Sequence, residues 1–172
     1  MSSLRILTER IELLKALKMT ENSLYKTTLN KAMSLCSKRE YCIDDIRVKL
    51  DEWGIRSNDS ERIISDLLKE NFINEIRYAE AFVKDKFRYN KWGRVKIRAS
   101  LKMKKIPGEV ITSALDSIDN ELYKKTLEDL LITHRRSIRA KNQYDLKGKL
   151  LRYGLSKGFE SDLLYDFLSR FE

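Results

Sequence analysis

The feature that most limits what this chain can fold into is an internal repeat. Ile46-x-x-x-Leu50-x-x-x-Gly54-Ile55 recurs as Ile97-x-x-x-Leu101-x-x-x-Lys105-Ile106 and again as Leu146-x-x-x-Leu150-x-x-x-Gly154-Leu155. The central leucines lie 51 and 49 positions apart, at the upper end of the periods that repeat arrays use. Apolar residues four apart share a helix face, so each copy reads as a short helix with one buried stripe. Gly54 and Gly154 stand where a glycine in the left-handed conformation closes a helix, and Lys105 carries a Cβ penalty at that place.

Each copy is followed by a second helical signal. Ile63, Ile64, Leu67 and Leu68 form one face, with Asn58 or Ser60 as cap. Val110, Ile111, Ala114 and Leu115 form the next, with Pro107 suited to the first helical position. Phe159, Leu163, Leu164, Phe167 and Leu168 form the last. Each copy is also preceded by a longer helix, over residues 24–38, 75–89 capped by Asn74, and 121–139 capped by Asn120. In the first of these Leu24, Leu29, Ala32, Met33 and Leu35 are the apolar set. Six Gly and one Pro are too few for a sandwich or barrel, and 42% apolar residues suffice for a core. The expected fold is all-α, an elongated tandem array of three three-helix modules over residues 21–71, 72–119 and 120–172, with a helical lead-in over 1–20.

Charge is distributed unevenly over this frame. The formal net charge is +9. From Lys84 to Lys105 the sum is +9, with Asp85 the single acid, and from Arg135 to Lys157 it is +7, with Asp145 the single acid; the remainder is −7. A solvated helix face interleaves both signs, and these stretches do not. They occupy equivalent places in consecutive repeats and are expected to form one cationic stripe, the footprint of a polyanion binder. The candidate filament- and DNA-binding set is Lys86, Arg88, Lys91, Arg94, Lys96, Arg98, Lys102, Lys104, Lys105, Arg135, Arg136, Arg139, Lys149 and Arg152. Charge reversal of Arg94, Arg98 and Lys102 together is expected to weaken DNA retention. Trp92 and Tyr89 lie inside the first stretch, but two aromatic residues make no stacking platform, and Trp92 reads as cover for a helix junction. Trp53 reads as a module cap.

Catalytic chemistry has little to stand on. His134 is the one histidine, and Cys36 and Cys42 fall short of any metal spacing, so neither a metal nor another cofactor is expected. Both cysteines read as small core residues. Asp44 and Asp45 open a helix, where acids complement the dipole. Arg5, Glu9, Arg10, Glu12 and Lys15 interrupt any leader-like apolar run, and no stretch nears the roughly 20 apolar residues of a membrane span, so the expected location is cytoplasmic. No heptad seam runs through the chain, which makes a monomer the expectation.

The central repeat carries a resemblance. Phe72, Asn74, Glu75, Arg77, Tyr78 and Ala79, followed by Gly93, Ile97, Leu101 and Ile106, resemble the central module of the RecX family of RecA recombinase regulators. Upstream, Ala32, Met33, Cys36, Arg39, Cys42, Asp45, Ile46, Lys49 and Leu50 are similar to that family's first module. The likeness runs over about residues 25–170. Cys42 stands for the usual Ser, Asp45 for Glu, and Lys105 for the Gly before Ile106.

The resemblance implies a non-enzymatic regulator of DNA repair and recombination, within the SOS response. It would lie in the groove of a RecA–single-stranded DNA filament and inhibit recombinase ATPase and strand exchange, and it would also bind single-stranded or double-stranded DNA directly. Arg77 is more simply paired with Glu75, Glu80 or a helix end than used as a contact. Two other readings stay open: a stand-alone basic DNA-binding protein, and a helical adaptor gripping an acidic protein.

Overall fold

The computed structural model describes residues 2–170, with side chains described for residue 10 and for 12–170. Residue 1 of the expected lead-in and residues 171 and 172 of the expected third module lie outside the described residues. The helices run α1 Ser2–Cys36, α2 Ile43–Glu52, α3 Ser57–Lys69, α4 Glu75–Arg88, α5 Arg94–Met103, α6 Gly108–Asp116, α7 Asn120–Arg135, α8 Gln143–Lys157 and α9 Ser161–Ser169, and no strand occurs among the described residues. The protein is all-α. It divides into two compact units, Met1–Asn74 with α1–α3 and Glu75–Glu172 with α4–α9.

In the first unit the lead-in continues into the first module without a break. Neither Gly nor Pro interrupts residues 20–36, and the Thr20 hydroxyl donates to the carbonyls of Ala16 and Leu17 within the helix. The core gathers Ala32, Tyr41, Ile46, Leu50, Ile63, Ile64, Leu67 and Ile73. Tyr25 and Thr28 turn toward it, and the Tyr25 hydroxyl donates to Asp66 at 2.6 Å. Leu24 lies off that face and is 60% exposed. Leu68 is likewise exposed, because Ile63, Ile64 and Leu67 already fill the stripe.

The ends of α2, α3, α5 and α8 share one device. A residue at positive φ follows each helix: Gly54 at 72°, Asn71 at 56°, Lys105 at 60° and Gly158 at 85°. The next residue, Ile55, Phe72, Ile106 or Phe159, sends its N–H back to the carbonyl of Leu50, Leu67, Leu101 or Gly154 at 2.8–3.2 Å. This is a Schellman closure with an apolar residue tucked behind it. In the third repeat the closure comes one turn later than expected. Gly154 is helical and buried, because Leu164 of α9 occupies the place its Cβ would take, and Gly158 closes α8 instead.

Asp44 and Asp45 lie in the first turn of α2 as expected, whereas the starts of α3, α6 and α7 differ from expectation. Cys42 caps α2, its sulfur accepting from the Asp45 N–H at 3.4 Å, so this buried thiol does the work that a hydroxyl or carboxylate does at most helix starts. Arg56, not Asn58 or Ser60, precedes α3 and makes no side-chain cap bond. Pro107 precedes α6 rather than opening it. Asp119 caps α7 through the Leu122 N–H, which leaves Asn120 as its first residue.

Lys105 is the costly version of this closure. A β-carbon in the left-handed region costs about 1–2 kcal/mol, and glycine returns part of that as unfolded-state entropy. Lys105→Gly is therefore expected to stabilise the second unit by about 0.5–1 kcal/mol. Lys105→Ala should bring no gain. Urea denaturation of the three proteins side by side checks this, and an unchanged midpoint for the glycine variant would refute it.

Candidate nucleic-acid interface

Both basic stretches fall in the second unit, and the structure separates cations used to build it from cations left at its surface. The building occurs where α5 begins against the end of α8. The Gly93 N–H donates to the Lys157 carbonyl at 2.8 Å and the Val95 N–H to the Gly158 carbonyl at 3.0 Å. Donors at the start of one helix thus satisfy acceptors at the end of another, and the positive end of one dipole meets the negative end of the other. Gly93 and Gly158 permit this approach: a Cβ on Gly93 would overlap the Gly158 carbonyl, and one on Gly158 would overlap Lys96.

Tyr123 sits at the centre of that junction, 1% exposed between Phe87 and Phe159 at ring distances of 5.7 and 5.1 Å. Its hydroxyl accepts from the Arg94 N–H at 2.8 Å and donates to Glu160 at 2.7 Å. Burial, and then the Glu160 carboxylate, hold its phenol far above the ordinary range.

Several candidate cations are committed here. The Arg94 guanidinium lies 4.1 Å over the Tyr123 ring and donates to the Ile118 carbonyl at 3.2 Å and to Asn120 at 2.8 Å. Lys96 donates to the Ser156 carbonyl at 3.2 Å and rests over Trp92 at 4.7 Å. Lys86 pairs with Asp85 at 3.0 Å and also approaches the Trp92 ring. Lys149 donates to the Arg139 carbonyl and to Asp145, both at 2.8 Å, tying down the segment between α7 and α8. Together with the Lys141 N–H, that pairing holds the Asp145 carboxyl below the ordinary carboxylate range. Arg98 donates to Thr112 at 3.3 Å.

The remainder faces water. Arg88, Lys91, Lys102, Arg136, Arg139 and Arg152 are exposed, and their side chains make no hydrogen bond or ion pair among the described residues. Lys104, Lys105 and Arg135 each have interactions of their own. Triple charge reversal at Arg94, Arg98 and Lys102 would therefore disturb the α5 junction as well as the surface. Lys102 is the clean position of the three.

Comparison with known proteins is consistent with this frame. Residues 74–115 match the family model described as RecX, second three-helix domain. The regulatory protein RecX of Clostridium acetobutylicum is 33% identical over 144 residues, 81% of this chain and 66% of that protein. The regulatory protein RecX of Clostridium beijerinckii is 30% identical over 154 residues, 88% of this chain and 70% of that protein. The chain belongs to the RecX family. It spans about two thirds of the length of these relatives. Two solved structures share the RecX fold: a regulatory protein RecX with TM-score 0.80 at 21% identity, covering 90% of this chain and 77% of that one, and RecX from Lactobacillus salivarius with TM-score 0.72 at 22% identity, covering 85% and 94%.

The RecX motif residues of this chain mostly build the module frame. Phe72 and Ile106 are the apolar residues behind two helix closures, and Tyr78, Ala79, Ile97 and Leu101 are buried. Gly93 is the docking glycine, Asn74 donates to Asn71 at 3.2 Å, Glu75 opens α4, and Arg77 is half-buried with a partner. His134 lies flat against Tyr153 with ring centroids 3.6 Å apart. Among the described residues no group of three or more His, Cys, Asp or Glu could hold a metal, and no helix is long and apolar enough to cross a membrane.

Sequence reasoning passed over one region. An open groove between α8 and α9 brings together Tyr144, Gly148, Arg152 and Tyr165. The first three recur at helical spacing, but a glycine in the row hid the pattern, and Tyr165 joins it only through the fold.

Proposed function

We propose that this RecX-family chain binds the RecA–single-stranded DNA filament and inhibits the recombinase ATPase and strand exchange. It acts as a regulator rather than an enzyme. The observation that carries the reading is a surface set of unpartnered cations, Arg88, Lys91, Lys102, Arg136, Arg139 and Arg152, on a chain of this family. Cations without internal partners remain available to phosphates, and such contacts release counterions and weaken steeply with salt. A regulator that binds one filament state better than another shifts its population without any chemistry of its own.

Co-sedimentation with assembled filament, with naked single-stranded DNA and with recombinase alone separates the readings, and ATPase measurements with and without the chain give the direction of the effect. Filament should retain the chain best. Lys102→Glu with Arg136→Glu and Arg139→Glu should reduce retention and lower the salt slope by about 0.7 per lost single-strand phosphate contact. These surface changes should leave stability within about 0.5 kcal/mol per site. Equal retention on naked DNA and filament would favour a stand-alone DNA-binding protein, and an unaltered ATPase would reject inhibition.

A further inference from the structure

One part of the second unit leaves two aromatic rings and three cations uncommitted to the fold. Tyr144, Gly148, Leu151 and Arg152 line one side of the α8–α9 groove, and Tyr165 lines the other. Tyr144 is 88% exposed and Tyr165 60%. The side chains of Tyr144, Tyr165, Lys141, Lys147 and Arg152 make no hydrogen bond or ion pair among the described residues. The acid in the lining, Asp145, is already engaged by Lys149 Nζ at 2.8 Å and by the Lys141 N–H at 3.0 Å. The groove is therefore cationic, with two open rings.

Gly148 adds an independent observation. A glycine inside a helix is unfavourable, and the fold of α8 explains only one of its two interior glycines. Gly154 is required by Leu164, whereas a Cβ on Gly148 would meet nothing nearer than the Arg152 guanidinium at 3.8 Å. The internal packing gives no reason for its missing side chain. Its effect is to deepen the groove beside Tyr144 and bare the helix backbone there.

We propose that this groove binds single-stranded nucleic acid, its bases stacking on Tyr144 and Tyr165 and its phosphates meeting Lys141, Lys147 and Arg152. The site deepens the nucleic-acid half of the function proposed above and rests on it. Flat exposed rings suit unpaired bases, since every base has a face to stack. A duplex keeps its bases stacked on one another, and an acidic peptide would satisfy the cations while leaving both rings in water.

The test is fluorescence anisotropy of labelled oligo(dT) titrated with the full chain at low salt. Tyr144→Ala and Tyr165→Ala should each weaken binding about tenfold, and Tyr→Phe at either position should retain it, because the ring stacks without its hydroxyl. Gly148→Ala should weaken binding while raising Tm by about 2–4 °C, separating a filled groove from a damaged fold. A wild-type chain that ignores oligo(dT), or a double alanine variant that binds like wild type, would overturn the proposal. Displacement by poly-glutamate with the same tyrosine dependence would assign the groove to an acidic protein segment instead. Tyrosine-dependent oligo(dT) binding without any effect on filament ATPase would keep the groove and reject the inhibition proposed above. An ATPase effect with tyrosine-independent DNA binding would do the reverse.

Discussion

Gly93→Ala is expected to cost the second unit about 3 kcal/mol or more, among the largest effects a single methyl group can have. The added Cβ would fall on the Gly158 carbonyl and the Phe159 nitrogen, both main-chain atoms that no rotamer change can move aside. Relief requires α5 to draw back from α8, breaking the 2.8 Å bond from Gly93 to Lys157 and the 3.0 Å bond from Val95 to Gly158. Each loss strands a donor and an acceptor where little water can reach. Gly158→Ala should cost as much or more, since it adds a φ of 85° to a clash with Lys96. Gly108→Ala is the control, because its Cβ would meet nothing within 4 Å. Denaturant melts give the ranking, and amide exchange at Gly93 and Val95 should speed up in the first two variants. A Gly93→Ala midpoint within error of wild type would mean that the α5–α8 contact does not form in solution.

Tyr123→Phe is expected to remove about 1–3 kcal/mol, although it deletes only an oxygen. That oxygen accepts from the Arg94 N–H and donates to Glu160, so its loss leaves a main-chain donor and a carboxylate without partners. The substitution also has a pH signature. The native phenol titrates above its ordinary value of 10.0, held there by burial and then by Glu160. A group with a raised native pKa stabilises fully below its unfolded pKa and loses that stabilisation as pH rises past it. Wild type should therefore weaken above about pH 10, and the variant, already weaker, should change less over that range. Tyr25, which burial and its bond to Asp66 push up to about 12, imposes the same sign on the first unit. Stability curves from pH 8 to 11 in a Tyr25→Phe background isolate the Tyr123 contribution. Parallel curves for the two proteins would show that the phenol is not held in this buried junction in solution.

Legibility varied with the range of the interactions. Helical stripes such as Ile97 with Leu101 and Leu146 with Leu150 follow from spacing alone, because a helix face is a local property. The closure at Gly54 followed in the same way. The third repeat misled for a physical reason: Gly154 has the right spacing to end a helix, but Leu164 needs the room it leaves, and Gly158 ends the helix instead. Among the basic residues, composition marked out the two stretches but could not sort them. Arg94 and Lys102 look alike in the sequence, yet one is folded against Tyr123 and the other is exposed. The groove tyrosines escaped notice because Tyr144 and Tyr165 lie on different helices.

The order of residues alone establishes that this chain is helical, that one apolar helical pattern recurs three times along it, and that its positive charge is concentrated in the later part. Local periodicity and local charge density suffice for each of these. Which glycine ends α8, which cations hold the second unit together and which aromatic rings remain in water follow from long-range packing. Those outcomes depend on what a residue meets far along the chain, and Gly93 and Arg94 acquire their roles only when α5 reaches the end of α8 and the ring of Tyr123.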